Sequence, residues 1–298
     1  MTIPAIETFG LTKYYGSVLA LDRMDLRVEQ GEVFGFLGPN GAGKTTTIRV
    51  LLDLIRPSNG RAMVLGYDPQ SDSLDVRERI GYLPGEVAFY RAMTGHSLLE
   101  LLDELRGGGH LPRARTLADR LDLDLRRRIS EYSSGMKQKL ALIPALMHQP
   151  ELLILDEPTK GLDPLVQQEV YAILREERER GCTVFFSSHR LPEVERVCSR
   201  VGILRKGRLV ATEDMEAIRH KKVRILSITF SQPVPREALR MEGVEVRSVN
   251  GNQAELAVHG HVPDILRRLA DLPVEDFVFP EATLEDTFLK FYGEEGKA

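Results

Sequence analysis

Long apolar runs, clustered cysteines and an excess of charge of either sign are all missing from this 298-residue chain. No segment approaches the ~18 uninterrupted apolar residues of a membrane-spanning helix. Residues 1–10 lack the basic start and apolar core of a signal peptide. If the protein serves a membrane process, the expectation is that another chain does the spanning. The two cysteines, Cys182 and Cys198, form no C-x-x-C pair and read as buried thiols of a reducing compartment. A net charge of −4 supplies no global attraction for nucleic acid. Internal repeats, low-complexity stretches and sustained heptads are absent too. That leaves the composition of an ordinary soluble globular protein, long enough for two domains.

What is present centres on Gly38-Pro39-Asn40-Gly41-Ala42-Gly43-Lys44-Thr45-Thr46. It fits G-x-x-x-x-G-K-[ST], with Gly38, Gly43, Lys44 and Thr45 at the defining positions. The apolar run 33–37 before it suits a buried parallel strand. Residues 46–54 after it read as a helix, with Ile48, Leu51, Leu52 and Ile55 at helical spacing. Strand, glycine-rich turn and helix N-terminus together aim backbone N–H groups and the positive end of the helix dipole at an anion. Lys44 adds a point charge for the β- and γ-phosphates, and the Thr45 hydroxyl can ligate Mg²⁺. The stretch reads as a nucleoside triphosphate site.

Around it the pattern is α/β. Strands are expected at 6–11, 18–21 and 26–28, antiparallel, with Tyr14 and Tyr15 in the turn before Gly16. Those tyrosines suit either the core or a flat face for a base. Further strands are expected at 61–65 and 80–83. From about 86 to 149 the strands vanish and three helices are expected, at 97–106, 111–121 and 134–148, the last bent or split at Pro144. This block reads as a helical insertion. Alternation then resumes with strands at 152–155, 183–186 and 201–204 and helices at 165–180 and 191–198, which implies a parallel sheet with crossovers. Past Lys221-Lys222 the order βαββαβ over 223–279 is that of a small ferredoxin-like α+β domain, with a last helix at 284–291. The expected organisation is therefore a nucleotide-binding domain over 1–220, its helical part about 86–150, and a small domain over 221–298. Nothing in 222–298 offers an acid/base constellation; His259 and His261 form an H-x-H pair that reads as solvated.

Asp156-Glu157 closes the apolar run 152–155. A carboxylate at the C-terminal end of a buried parallel strand lies where open α/β sheets bind ligands. Asp156 is the natural partner of a Mg²⁺ held by Thr45, and Glu157 could take a proton from water attacking the γ-phosphate. His189 closes the next strand, placed to contact a γ-phosphate or that water. Ser133 and Gly135 open a helix and form a second N–H-rich terminus; alone, the pattern is also that of an ordinary N-cap.

Taken together, residues 5–215 resemble the ATP-binding-cassette (ABC) family, with its motifs in order. The resemblance implies a P-loop NTPase cassette with an N-terminal antiparallel β subdomain and a helical insertion, binding ATP and Mg²⁺. It places the adenine-stacking aromatic at Tyr15 and the phosphate loop at Gly38, Asn40, Gly41, Gly43, Lys44, Thr45 and Thr46. It makes Asp156 the magnesium-linked aspartate, Glu157 the catalytic glutamate and His189 the switch histidine. Tyr132-Ser133-Ser134-Gly135-Met136 stands at the family signature, keeping its serine and second glycine, and Gly161-Leu162-Asp163 matches the loop that crosses to a partner subunit. The Y-S-x-G-M-K-Q variant and the ending around Leu284-Glu285-Asp286-Thr287-Phe288-Leu289 look like the drug- and polysaccharide-exporter branch. Implied partners are a second copy or a paralogous ATPase, head to tail around two ATP, and a separate permease touching residues 86–94, with no nucleic acid. The implied location is cytoplasmic, peripheral on the inner face of the cell membrane. One departure stands out: where the family has glutamine after the strand 80–83 and its proline, this chain has Gly85 and then Glu86, so either Glu86 or water fills that position. Two other readings compete. A soluble ATPase of ribosomes or chromosomes fits poorly with one cassette and no heptads, and the short tail favours an exporter over an importer.

Overall fold

The computed structural model describes residues 3–220, 224–258 and 262–279, and the chain divides into two compact units, Met1–Met215 and Glu216–Ala298. The first unit opens on β1 (Ile6–Tyr15), β2 (Val18–Met24) and β3 (Arg27–Val28), with β1 antiparallel to both others. β1 outruns its expected end. Tyr14 and Tyr15, expected in the turn, finish the strand opposite Leu19 and Val18. At 45% and 44% exposure neither is a core residue.

β4 (Val33–Leu37) is buried at every position, as a run with no polar alternation requires. α1 (Lys44–Leu51) follows, and β5 (Asn59–Val64) returns to pair with β1. α2 (Ser73–Arg79) has no counterpart in the expected elements. Only Val76 of its seven residues is buried, so there is no apolar stripe to read as a period. β6 (Ile80–Leu83) leads into the helical block of α3 (Gly95–Leu105), α4 (Leu111–Arg120) and α5 (Ser134–Leu146). The Thr94 side chain caps α3 by accepting from the Ser97 N–H. The helix is not split at Pro144: α5 runs through it as one element and stops at Leu146. A mid-helix proline costs about 3 kcal/mol; burial of Leu140 to Ile143 on one side of it and Ala145 and Leu146 on the other offsets that.

Just past α5, the His148 Nε2 lies 3.0 Å from the Ile80 carbonyl oxygen. Burial, reinforced by the nearby Arg106 charge, holds its pKa down to about 4 from the ordinary 6.5. The folded protein therefore binds fewer protons at this ring than the unfolded chain does. Its contribution to stability is complete above pH 6.5 and is lost as the pH falls toward 4. His148→Gln is expected to flatten that segment of the stability profile, read as denaturant midpoints across the same pH range.

The alternation resumes with β7 (Leu152–Asp156), α6 (Pro164–Glu179), β8 (Thr183–Ser188), α7 (Leu191–Val197), β9 (Arg200–Arg205) and β10 (Arg208–Asp214). The main sheet has the order β10-β9-β4-β8-β7-β6 and is parallel except at β10. Phe34 stacks on Phe185 with centroids 6.0 Å apart, and Phe36 lies 5.1 Å from the same ring. These rings belong to the core that packs α1 against the sheet. Cys182 and Cys198 are free and buried; burial pushes the Cys182 thiol up to about 12 and raises Cys198 as well, so neither is a ready nucleophile.

α8 (Met215–His220) follows. The second unit then contains β11 (Arg224–Phe230), β12 (Val244–Asn250), β13 (Gln253–Val258), α9 (Val262–Ala270) and β14 (Val274–Val278). Its sheet is antiparallel with the order β12-β13-β11-β14, the ferredoxin-like arrangement. The helix expected at 235–240 is only a 3₁₀ turn, Arg236–Leu239. Ile265 and Leu269 of α9 cover Leu226, Ile228, Phe230 and Leu256. The Lys221-Lys222 boundary, His259, His261 and the helix expected at 284–291 lie outside the described residues. Among the described residues, no helix is long and apolar enough to cross a membrane.

Candidate active site

The carboxyl ends of β4, β8 and β7 lie side by side, with Leu37 opposite Ser188 and Asp156 opposite Ser187. Parallel register thus brings the phosphate loop, the acidic pair and His189 to one edge. The loop is pinned where β4 ends: the Gly38 N–H donates to the Ser188 carbonyl oxygen at 3.2 Å. Two glycines are obligatory there. A Cβ on Gly38 would lie 2.5 Å from the Leu204 carbonyl oxygen, and Gly43 combines φ of +115° with a Cβ position 2.9 Å from the Ala20 carbonyl oxygen. Gly43 is also the N-cap of α1 and has no side chain to satisfy that terminus, which leaves its N–H groups for a ligand.

Lys44, only 6% exposed, is folded back on the loop. Its Nζ donates to the carbonyl oxygens of Gly38 at 2.7 Å and Pro39 at 3.3 Å and lies 3.6 Å from Glu157 Oε1. The Thr45 hydroxyl donates to Asp156 Oδ2 at 2.8 Å, and the Ser187 hydroxyl donates to Asp156 Oδ1 at 2.5 Å. Both carboxylate oxygens of this buried aspartate are therefore engaged. Glu157 has a left-handed backbone, φ +54°, which sends its side chain to His189: Nδ1 is 2.7 Å from Oε2 and 2.9 Å from Oε1. A carboxylate only accepts, so the proton sits on Nδ1. The expected phosphate contact of His189 thus has a prior partner in the acidic pair.

Lys44, Thr45, Asp156, Glu157 and His189 line a cleft of ≈ 430 Å³ together with Asn40, Gly41, Gly43 and Thr46, within the range of small-molecule sites. Gly85 and Glu86 line it as well. A Cβ at Gly85 would lie 3.0 Å from Asp156 Oδ2, so the position that lacks its glutamine abuts the carboxylate itself. Tyr15, Gly38, Ser133, Gly135 and Asp163 are not part of the lining. The Tyr15 ring lies 5.4 Å from the Lys13 ammonium. The Ser133 side chain caps α5, accepting from the Met136 N–H at 3.2 Å. Gly135 meets the Gly161 turn, where a Cβ would come 2.9 Å from the Gly161 carbonyl oxygen. Asp163 caps α6, and the Val166 and Leu165 N–H groups it accepts from hold its carboxyl below the usual range. Ser187, Arg49 and Lys160 at the cleft escaped the sequence reading. Only strand register reveals Ser187, and no local pattern marks the other two.

Residues 21–160 match the ABC transporter family. Over 97% of its length the chain is 33% identical to the bacitracin transport ATP-binding protein BcrA of Bacillus licheniformis, covering 97% of that protein. It is 34% identical, over 97% of this chain and 92% of the other, to the daunorubicin/doxorubicin resistance ATP-binding protein DrrA of Streptomyces peucetius. An ATP-binding cassette solved as a dimer in a post-hydrolysis state with ADP and phosphate shares the fold, with a TM-score of 0.63 and 22% identity over 70% of this chain and 98% of that one. A phosphate loop at the carboxyl edge of a largely parallel sheet, in a chain 33% identical to a transporter ATP-binding subunit over 97% of both, leaves one family: this protein belongs to the ABC transporters, as an ATP-binding and ATP-hydrolysing subunit.

Proposed function

We propose that this subunit works as a head-to-tail pair on the cytoplasmic face of a membrane, exporting an antibiotic-like or drug-like substrate through a separate permease. Lys44 and the N–H groups of residues 40–46 hold the ATP phosphates, Tyr15 stacks on the base, and Glu157 takes the proton of the attacking water while His189 orients it. Thr45 and Asp156 offer hard oxygen donors beside the phosphate site, the set that Mg²⁺ accepts together with phosphate and water. When bound there, the ion neutralises charge on the β- and γ-phosphates. Residues 1–220 form the ATPase domain and 221–298 an additional domain.

One observation carries the dimer. Ser133, Gly135 and Asp163 lie outside the lining of their own chain's cleft, and Ser133 and Asp163 are exposed. A second copy related by a two-fold axis can bring Ser133 and the N–H groups of α5 to the γ-phosphate held by the first. Closure then follows the nucleotide state, because hydrolysis removes the group that both copies hold. The bacitracin and daunorubicin relatives support the substrate class.

Ser133→Ala tests the arrangement. In a Glu157→Gln background it is expected to weaken ATP-dependent dimerisation about tenfold, the effect of losing one hydrogen bond to a charged group, as seen by sedimentation. ATP affinity of the single subunit should stay as it was. The change also removes an N-cap worth about 1 kcal/mol, so the nucleotide-free variant is melted in parallel. Dimerisation indifferent to the substitution would remove residues 132–136 from the interface.

A further inference from the structure

Gln138 lies one turn into α5, three residues beyond Gly135, and is a buried polar side chain at 8% exposure. An amide nitrogen carries two protons. Here Nε2 donates to two backbone carbonyl oxygens, Pro158 at 3.1 Å and Glu157 at 3.3 Å. The location matters for what Glu157 does. Its φ of +54° lies in the left-handed region, which disfavours any side chain beyond glycine by about 1–2 kcal/mol and persists only where the surroundings hold it. Ser187 holds the amino side of the residue: the Glu157 N–H meets the Ser187 carbonyl oxygen at 3.2 Å and its hydroxyl at 3.3 Å. On the carboxyl side the next residue is Pro158, which has no N–H. The Glu157–Pro158 peptide can be anchored only through its carbonyl oxygen, which accepts from the Lys160 N–H of the following turn at 3.1 Å and, from outside its own segment, from Gln138.

We propose that Gln138 is a positioning residue for Glu157, fixing the backbone twist that aims the carboxylate at His189 and Lys44. The same contact ties α5, whose N-terminal Ser133 serves the partner's nucleotide, to the base of this chain's own site. Seating of Ser133 on the partner's γ-phosphate is thereby transmitted to Glu157 within one polypeptide. This rests on the proposed roles of Glu157 and Ser133.

Two substitutions in the full-length chain test it. Gln138→Met keeps the length and the apolar stem but has no donors; Gln138→Glu keeps the shape and sets acceptors against both carbonyls, which covers the case where the first fails to fold. Both should lower kcat by about tenfold or more, the scale of a misplaced reacting group, with ATP affinity by fluorescent-nucleotide titration unchanged. Unaltered kcat in a folded variant, or a loss confined to ATP affinity, overturns the proposal. Mixed dimers isolated through two tags and read by single-turnover hydrolysis then locate the effect. With Gln138→Met and Glu157→Gln in one chain, the partner keeps an intact pair and hydrolyses as fast as a dimer carrying Glu157→Gln alone. With the two changes in opposite chains, no chain has both residues, and the rate falls by the factor seen for Gln138→Met. Equal rates, or the reverse ranking, overturn positioning within the chain. If no mixed dimer forms with ATP, it is the dimer reading that has failed, and the kcat result on the single variants still decides the role of Gln138.

Discussion

Replacing Glu157 by glutamine is expected to slow ATP turnover by about 10²–10⁴-fold, the range a positioned general base supplies, while ATP binding is retained. The substitution is isosteric and removes only the proton acceptor. Thr45, Asp156 and the loop N–H groups are untouched, and the new side-chain oxygen can still accept from His189 Nδ1, which now stands 2.7 Å from the carboxylate. Electrostatics pushes binding in the opposite direction from turnover. Glu157 Oε1 is 3.6 Å from Lys44 Nζ, so its charge also lies close to any phosphate that Lys44 holds. Losing that negative charge relieves a repulsion, and affinity should hold or rise. ATP should therefore accumulate on the variant unhydrolysed, visible as a stable ATP-dependent dimer and as near-zero phosphate release in the same sample. Phosphate release at the unaltered rate would remove Glu157 from the role of base.

The residues of that prediction were legible in the sequence because each is marked locally. The phosphate loop is a contiguous pattern, and Asp156-Glu157 and His189 each end an apolar run that has to be a strand. What failed to show is what depends on register or on distant packing. Ser187 engages Asp156 because β7 and β8 align those two residues, and no spacing within one strand encodes that. Gln138 reaches Glu157 and Pro158 across about twenty residues of chain; in sequence it is only the last residue of the Y-S-x-G-M-K-Q stretch, with nothing to mark what it touches. α2 has one buried residue and hence no period. Pro144 shows the converse: the local rule allows a split helix, but the buried faces on either side keep α5 continuous. Gly16 suggests a turn at Tyr14 and Tyr15, whereas the β1–β2 ladder continues to the last residue before it.

Lys44→Ala is expected to weaken ATP binding by about 10–100-fold, since a hydrogen bond to a charged group contributes about 1.5–3 kcal/mol and each 1.4 kcal/mol is a factor of about ten. Turnover should fall further than binding, because charge gathers on the phosphoryl oxygens as the bond breaks and the ammonium is fixed in place to meet it. Alanine is the best helix former, so α1 should keep its N-terminus and the loss is one of charge. The contrast with Glu157→Gln is the sharper test, because the two variants remove opposite members of one ion pair. The Lys44 ammonium is satisfied by Gly38, Pro39 and Glu157, and a bound phosphate has to compete with all three. Removing the lysine abolishes the attraction; removing the glutamate abolishes one competitor. Affinities measured for both single variants and the double variant should therefore be non-additive, with Glu157→Gln tightening ATP binding more when Lys44 is present than when it is absent. If the glutamate substitution acted equally with and without the lysine, the two groups would not share the phosphate, and the γ-phosphate would have to lie elsewhere than between α1 and the end of β7.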